Sequence, residues 1–161
     1  MKACILSTSF FHDNWLGISP FEPNTNPVKS HDIAFPRMVD ARILIVEDDP
    51  DILEVLGEFL NRKGTMVVGK AKNGLEAFEQ YRDQRPDVVL MDIMMPQYDG
   101  IYGLEKILGL DPKAKIIIVT GCVSESRDKL KRMGAVEVLS KPCEFDHIFG
   151  VIDRITNQVL A

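Results

Sequence analysis

Short apolar runs alternate with amphipathic stretches from Arg42 to the end of the chain. The runs rich in β-branched residues predict five strands, at 43–46, 66–68, 88–91, 116–119 and 136–139. The first, third and fourth of these runs are almost continuously apolar, as expected when both faces of a parallel sheet are covered by helices. The pattern therefore predicts a sheet buried inside the protein.

Each predicted strand is followed by a stretch with helical spacing of apolar residues. The five helices are expected to use Ile52, Leu53, Leu56, Phe59 and Leu60 after Pro50 and before Gly64; Leu75, Ala77, Phe78 and Tyr81 after the cap Asn73; Tyr102, Leu104, Ile107 and Leu108; Leu130 and Met133, facing inward after Ser124; and Phe145, Ile148, Phe149, Ile152 and Ile155. Right-handed crossovers then give an α/β fold, a doubly wound five-stranded parallel sheet with helices on both faces.

Polar residues whose side chains can bind ligands or take part in a reaction follow four of the predicted strands. Glu47, Asp48 and Asp49 come after the first strand, and Asp92 after the third. Thr120 ends the fourth strand, and Lys141 follows the fifth. Ligands of open α/β sheets bind outside the carboxyl ends of the strands, so these side chains are expected to converge there.

These residue types together indicate phosphoryl transfer to an aspartate. Crowded carboxylates need a cation, and Mg²⁺ prefers carboxylate oxygens. Lys141 offers a compact positive charge for a phosphate, and the Thr120 hydroxyl is a donor for a phosphoryl oxygen. Taken alone, the acidic run 47–49 is equally well explained as a helix cap, and Asp49, just before Pro50, is assigned that role.

Residues 42–158 resemble the receiver domain of two-component response regulators, with a flavodoxin-like receiver fold. The resemblance is carried by four segments in order: ILIVEDDP at 43–50, VLMDIMMP at 89–96 with Asp99-Gly100, VTG at 119–121, and SKP at 140–142. Each segment is weak evidence alone. Together, each closing a predicted strand, they form a specific signature that covers about three quarters of the chain.

The resemblance implies a role for each matching residue. Asp92 is expected to accept a phosphoryl group from the phosphohistidine of a sensor histidine kinase or a phosphotransfer protein. Glu47, Asp48, Asp92 and the backbone carbonyl of Met94 are expected to hold Mg²⁺, with Glu47 acting through water. Lys141, preceding a cis bond to Pro142, is expected to pair with the phosphoryl group, and Thr120 to turn toward it.

Two positions depart from the family pattern. Val138 stands three residues before Lys141, where the family often has an aromatic residue. Since a valine side chain is stiff at χ1, it cannot swing as a ring would. Cys143 stands two residues after Lys141, where the family often has phenylalanine, and is interpreted as a local repacking.

The resemblance also implies how the signal leaves the domain. We expect a stand-alone regulator of the chemotaxis-regulator-like type, because the residues after Pro142 suffice for one closing helix and not for a DNA-binding module. Output is then expected through a protein target at the fourth helix, fifth strand and fifth helix, at 124–133, 136–139 and 145–159. That target could be a motor-type protein, a phosphorelay intermediate or a kinase without output of its own.

Composition indicates the domain limits, the kinds of partner that are disfavoured and the cellular setting. Residues 1–39 hold four of the nine prolines and equal numbers of acidic and basic residues, and we interpret them as a flexible, docked or extraneous arm. Residues 40–161 are expected to form the receiver domain, and they carry the whole net charge of −5. This charge disfavours direct nucleic-acid binding. Three scattered cysteines favour a reducing, cytoplasmic setting, and no apolar run is long enough for membrane insertion.

Two other function classes compete with the switch: a docking module, and an enzyme that is either a phosphatase or a flavin protein. A docking module of the same fold would never be phosphorylated, but it would not need the full set of acidic, threonine and lysine residues. A phosphatase of the haloacid dehalogenase type would need a second aspartate where Met94 stands. A flavin enzyme would need a phosphate-binding loop where the acidic run 47–49 would repel phosphate.

Overall fold

The computed structural model describes residues 40–121 and 127–157. Some predictions fall on other residues and lie outside this part: the arm at 1–39, the helix start at Ser124, and the two ends of the expected output surface at 124–126 and 158–159. Within it, no helix is both long and apolar enough to cross a lipid bilayer.

Strands and helices alternate strictly along the described residues. They are β1 (Arg42–Val46), α1 (Pro50–Arg62), β2 (Met66–Ala71), α2 (Gly74–Gln84), β3 (Val88–Met91), α3 (Gly100–Leu110), β4 (Ile116–Thr120), α4 (Arg127–Arg132), β5 (Glu137–Ser140) and α5 (Phe145–Asn157). The strands form one parallel sheet in the order β2-β1-β3-β4-β5. The predicted doubly wound fold is confirmed.

Successive strand residues point to opposite faces of the sheet, and each face has its own core. Leu44, Val89 and Ile118 pack with α2, α3 and α4. Ile45 and Leu90 pack with α1 and α5. The near-continuous apolar runs in the central strands follow from this burial on both faces.

Short-range capping explains where the helices begin and end. The Asp49 carboxylate accepts the backbone N–H groups of Asp51 and Ile52 at the start of α1, which confirms its assignment as a cap. Asn73 caps α2 in the same way. After α1 the chain turns at Gly64 with φ of +92°, a conformation that glycine adopts without steric cost.

β1 and β4 are each one residue longer than the apolar runs that predicted them, and β2 and β5 differ at more than one position. β2 continues to Ala71 because its backbone pairs with β1 through the polar stretch that includes Lys70. β5 begins at Glu137 instead of Val136, and the Val136 side chain is exposed. In β5 the half-buried residue is a glutamate, because basic side chains of α4 and α5 neutralise it.

Candidate functional site

Four strands deliver polar side chains to one edge of the sheet. Glu47 and Asp92 directly follow the adjacent strands β1 and β3, and the Asp92 N–H donates to the Val46 carbonyl at 2.9 Å. Thr120 closes β4, and its carbonyl accepts the Lys141 N–H at 3.0 Å. The predicted convergence of the strand ends is therefore present in the fold.

Three carboxylates meet at this edge. One oxygen each of Glu47, Asp48 and Asp92 lies within 4.8 Å of the other two. Glu47 and Asp92 are buried, at 6% and 7% exposure, whereas Asp48 is exposed. Oxygen atoms at such separations match a hard divalent cation, which takes carboxylate ligands and retains several waters. The donor set fits Mg²⁺.

Lys141 bridges the two buried carboxylates. Its Nζ lies 2.6 Å from Oε2 of Glu47 and 2.5 Å from Oδ2 of Asp92. The Lys141–Pro142 peptide bond is cis, as the family resemblance implied. Burial disfavours the charged ammonium, but the two carboxylates outweigh it and raise the pKa of Lys141. The lysine therefore remains cationic at neutral pH.

The site carries a surplus of negative charge. Burial raises the pKa of Glu47; Lys141 opposes this shift and the nearby Asp92 charge adds to it. With all groups ionised, three carboxylates face one ammonium within the cluster. A further cation would relieve this repulsion, which is a second reason why the site suits a metal.

The two oxygens of Asp92 have different partners. Oδ1 accepts the Met94 backbone N–H at 3.1 Å, and Oδ2 accepts from Lys141. The Met94 side chain is 63% exposed, whereas Met91 and Met95 pack in the core. Asp92 is thus a buried carboxylate held in a defined orientation from both sides.

Gly100 lets α3 begin directly against the backbone of Asp92. A Cβ atom on Gly100 would lie 2.0 Å from the Asp92 carbonyl oxygen and 2.8 Å from Cα of Ile93. The Gly100 N–H donates to the Ile93 carbonyl at 3.0 Å. Any larger residue would displace either the helix or the segment that carries Asp92.

An apolar cavity of about 230 Å³ lies beside the acidic cluster. It is bounded by Glu47, Asp92 and Lys141 on one side and by apolar residues of α1, β3 and α5 on the other. Cys143 lines this cavity and is half-buried. Burial, together with the Glu144 charge, raises the pKa of the Cys143 thiol, which makes it a poor nucleophile.

The sequence analysis missed an ion cluster on β5, which we call the Glu137 cluster. Its carboxylate lies 3.3 Å from Arg127, 3.0 Å from Lys131 and 3.2 Å from Arg154. It also accepts the Val138 N–H at 3.1 Å, and Arg127 donates to the Val138 carbonyl. The available signal was the charge-rich segment RDKLKR at 127–132.

Burial of Glu137 opposes its ionisation. The Val138 N–H together with Lys131 and Arg154 outweighs that effect and lowers the pKa of Glu137 to about 2. Val138, the residue in the place of the family's aromatic, is itself buried in the core. The Glu137 cluster therefore connects α4, β5 and α5 through one carboxylate that is charged at neutral pH.

Comparisons with known proteins agree with this geometry. The model of the response regulator receiver domain family matches residues 43–153. The chain is similar to the chemotaxis protein CheY of Bacillus subtilis, with 36% identity over 72% of this chain and 98% of that protein. It is also similar to CheY of Thermotoga maritima, with 32% identity over 71% of this chain and 97% of that protein.

A solved structure with a related sequence is the receiver domain of a sensor histidine kinase from Pseudomonas aeruginosa, described with a magnesium ion coordinated in its active-site cleft. The TM-score is 0.66 and the identity 26%, covering 73% of this chain and 98% of that one. Family match, relatives and strand order all agree with the resemblance inferred from the sequence motifs. The chain belongs to the response regulator receiver domain family.

Proposed function

We propose that Asp92 accepts a phosphoryl group from the phosphohistidine of a sensor histidine kinase or a phosphotransfer protein. The observation that carries this proposal is the Lys141 ammonium held between the buried carboxylates of Glu47 and Asp92. Such an arrangement holds a cation beside the buried Asp92 carboxylate, ready for an incoming phosphate. As a receiver domain, the chain is a signalling switch rather than an enzyme.

In the proposed transfer, an Asp92 oxygen attacks phosphorus and forms the new O–P bond. The P–N bond to histidine breaks, and its electron pair remains on the imidazole nitrogen. The Met94 N–H fixes the orientation of Asp92 from one side, and Lys141 from the other. This orientation reduces the entropic cost of reaching the transition state.

Glu47, Asp48, Asp92 and the backbone carbonyl of Met94 are the residues that would hold Mg²⁺, with Glu47 acting through water. When bound, this ion supplies positive charge that offsets the repulsion between the carboxylates and the phosphoryl oxygens. Once Asp92 is phosphorylated, Lys141 pairs with the phosphoryl group instead of the free carboxylate. The Thr120 hydroxyl turns toward a phosphoryl oxygen and donates a hydrogen bond to it.

The proposed output surface comprises α4, β5 and α5 with their flanking residues, at 127–133, 136–139 and 145–157 within the described chain. A protein target binds there, and the proposal includes neither direct nucleic-acid binding nor membrane insertion. The setting is the cytoplasm, where a kinase domain would present its phosphohistidine. Lys141 directly follows β5, so this surface adjoins the site in the chain.

The test is phosphorylation by acetyl phosphate, followed by intact mass. We expect the wild type to gain one phosphoryl group with Mg²⁺ and none with excess EDTA. Asp92→Asn removes the nucleophile with little change in shape, so it should gain none. Asp49→Asn, which alters a neighbouring carboxylate used as a helix cap, should still be phosphorylated.

Phosphorylation that persists in Asp92→Asn would refute Asp92 as the acceptor. No gain in the wild type, either from acetyl phosphate or from a phosphorylated histidine kinase, would refute the switch. The alternative would then be a docking module of the same fold, which binds its partner without phosphorylation. For Lys141→Gln we expect slower phosphorylation and an unchanged requirement for Asp92.

A further inference from the structure

The apolar cavity beside the acidic cluster is large enough to hold a small molecule. Its volume is about 230 Å³. Protein interiors contain few voids larger than a water molecule, and a cavity of about 150 Å³ between apolar side chains is enough to bind benzene. The cavity therefore has room for one aromatic ring and a short side arm.

The walls of the cavity come from the sheet and from the two helices on one of its faces. Ile45 and Leu90 of the sheet, Leu56 of α1 and Ile148 of α5 line it, and each is at most 6% exposed. Ile52 at the start of α1 also lines it and is 36% exposed, so the cavity reaches the protein surface. Since the buried walls are already held by core packing, a ligand would bind them at a low entropic cost.

The polar residues of the lining make one end of the cavity negatively charged. They are Glu47, Asp92 and Lys141. With all three ionised, two carboxylates face one ammonium, which lies 2.6 Å from Glu47 and 2.5 Å from Asp92. One negative charge is in excess, and a carboxylate oxygen can accept more than one hydrogen bond. A ligand with a cationic end would therefore pair there, whereas an anionic end would be repelled.

We propose that this cavity binds a small aromatic amine, with its ring between α1, β3 and α5 and its ammonium group on Glu47 and Asp92. The binding itself needs neither Mg²⁺ nor a phosphoryl group. Because both carboxylates are also expected metal ligands, the bound amine opposes metal binding and slows phosphorylation of Asp92; this consequence rests on the proposed function. The cavity thus makes the switch responsive to a small molecule.

Cys143 offers both a reporter and a position for substitution. Its thiol lines the cavity and is half-buried. Cys143→Phe would fill much of the cavity with a ring, and Cys143→Leu would fill less of it. Val55→Phe is the matched control, because Val55 lies on α1, is 58% exposed and is not among the residues that line the cavity.

The experiment measures binding of phenethylamine to the full chain without Mg²⁺, from amide chemical shifts in an NMR titration. Three related compounds separate the contributions of ring and charge. 2-Phenylethanol keeps the ring without the charge, ethylamine keeps the charge without the ring, and phenylacetate reverses the charge. Modification of Cys143 by methyl methanethiolsulfonate, located by peptide mass, reports whether the ligand lies in the cavity.

We expect phenethylamine to bind, and 2-phenylethanol to bind about tenfold more weakly, because hydrogen bonds to charged groups are lost. Ethylamine and phenylacetate should show no saturable binding in the same concentration range. At about three times its dissociation constant, phenethylamine should slow modification of Cys143 about fourfold by mass action. Cys143→Phe and Cys143→Leu should lose binding and Val55→Phe should retain it, with circular dichroism verifying that each variant is folded.

Absence of saturable phenethylamine binding, absence of Cys143 protection, or equal or tighter binding of phenylacetate would each overturn the proposal. The wild-type measurements decide this even where a substituted protein fails to fold. Unchanged affinity in folded Cys143→Phe would also overturn it.

Acetyl phosphate labelling of the wild type separates this proposal from the proposed function. Labelling of Asp92 in a protein that does not bind phenethylamine would refute only the cavity site. Binding in a protein that is not labelled would refute only the switch. In a protein that does both, saturating phenethylamine should slow labelling, and an unchanged rate would refute the placement of its ammonium group on Glu47 and Asp92.

Discussion

Gly100→Ala should both destabilise the fold and disturb the proposed phosphorylation site at Asp92. The new Cβ would lie 2.0 Å from the Asp92 carbonyl oxygen, about 1.3 Å closer than a carbon–oxygen contact of ~3.3 Å allows. The obstructing atoms belong to the backbone, so no side-chain rotation relieves the contact. Overpacking of this kind costs roughly 1–3 kcal/mol, and we expect a value near the upper end.

Gly109→Ala is the matched control within the same helix. Nothing lies within 4 Å of a Cβ at Gly109, so this change should raise stability by up to about 1 kcal/mol through helix propensity. Urea unfolding followed by circular dichroism gives the free energy of unfolding for both variants. We expect a difference of about 3 kcal/mol between them, together with slower labelling of Asp92 in Gly100→Ala only. A Gly100→Ala protein within about 0.5 kcal/mol of the wild type would refute the reasoning.

Three further predictions concern stability. Asp49→Ala removes the cap of α1 and should cost about 1 kcal/mol in urea unfolding; no loss would contradict the capping role. Burial and the hydrogen bond to Asp111 raise the pKa of Tyr81 from 10.0 to about 12. The protonated Tyr81 therefore stabilises the fold fully below pH 10, and this contribution to the free energy of unfolding is lost as the pH rises to about 12. Thermal unfolding across that range should be less pH-dependent in Tyr81→Phe, and equal slopes would contradict this. Because the pKa of Glu137 is lowered from 4.5 to about 2, its contribution to the free energy of unfolding is present above pH 4.5 and lost as the pH falls through about 2. Melting temperatures should therefore vary less over this acidic range in Glu137→Gln than in the wild type, and an unchanged profile would contradict the assignment.

The fold was predictable because its signals are local. Continuous apolar runs mark strands that are covered on both faces, and Asp49, Asn73 and Gly64 mark helix ends by their own side-chain or backbone chemistry. The convergence of Asp92 and Lys141 was predictable as well, since parallel strands place their carboxyl ends on the same edge. These inferences required no knowledge of side-chain positions.

Other features depend on contacts between distant residues and could not be derived in this way. Glu137 lies within the strand predicted at 136–139, and only the packing of α4 and α5 explains why this glutamate is half-buried. The need for glycine at position 100 depends on the distance between α3 and the Asp92 backbone, which no sequence pattern encodes. The cavity beside Cys143 likewise arises from how α1 and α5 meet the sheet.

The position of β5 as the last strand of the sheet has a consequence for self-association. The main-chain groups of successive strand residues point alternately to the two neighbouring sides. Because the Lys141 N–H points toward β4, the main-chain groups of Val138, three residues earlier, point to the opposite side, away from β4. There the Glu137 carboxylate accepts its N–H, and the Arg127 guanidinium donates to its carbonyl. A strand from another molecule therefore meets an edge whose central N–H and carbonyl are already occupied by side chains. The charged side chains of the Glu137 cluster thus protect the sheet against edge-to-edge aggregation at high protein concentration.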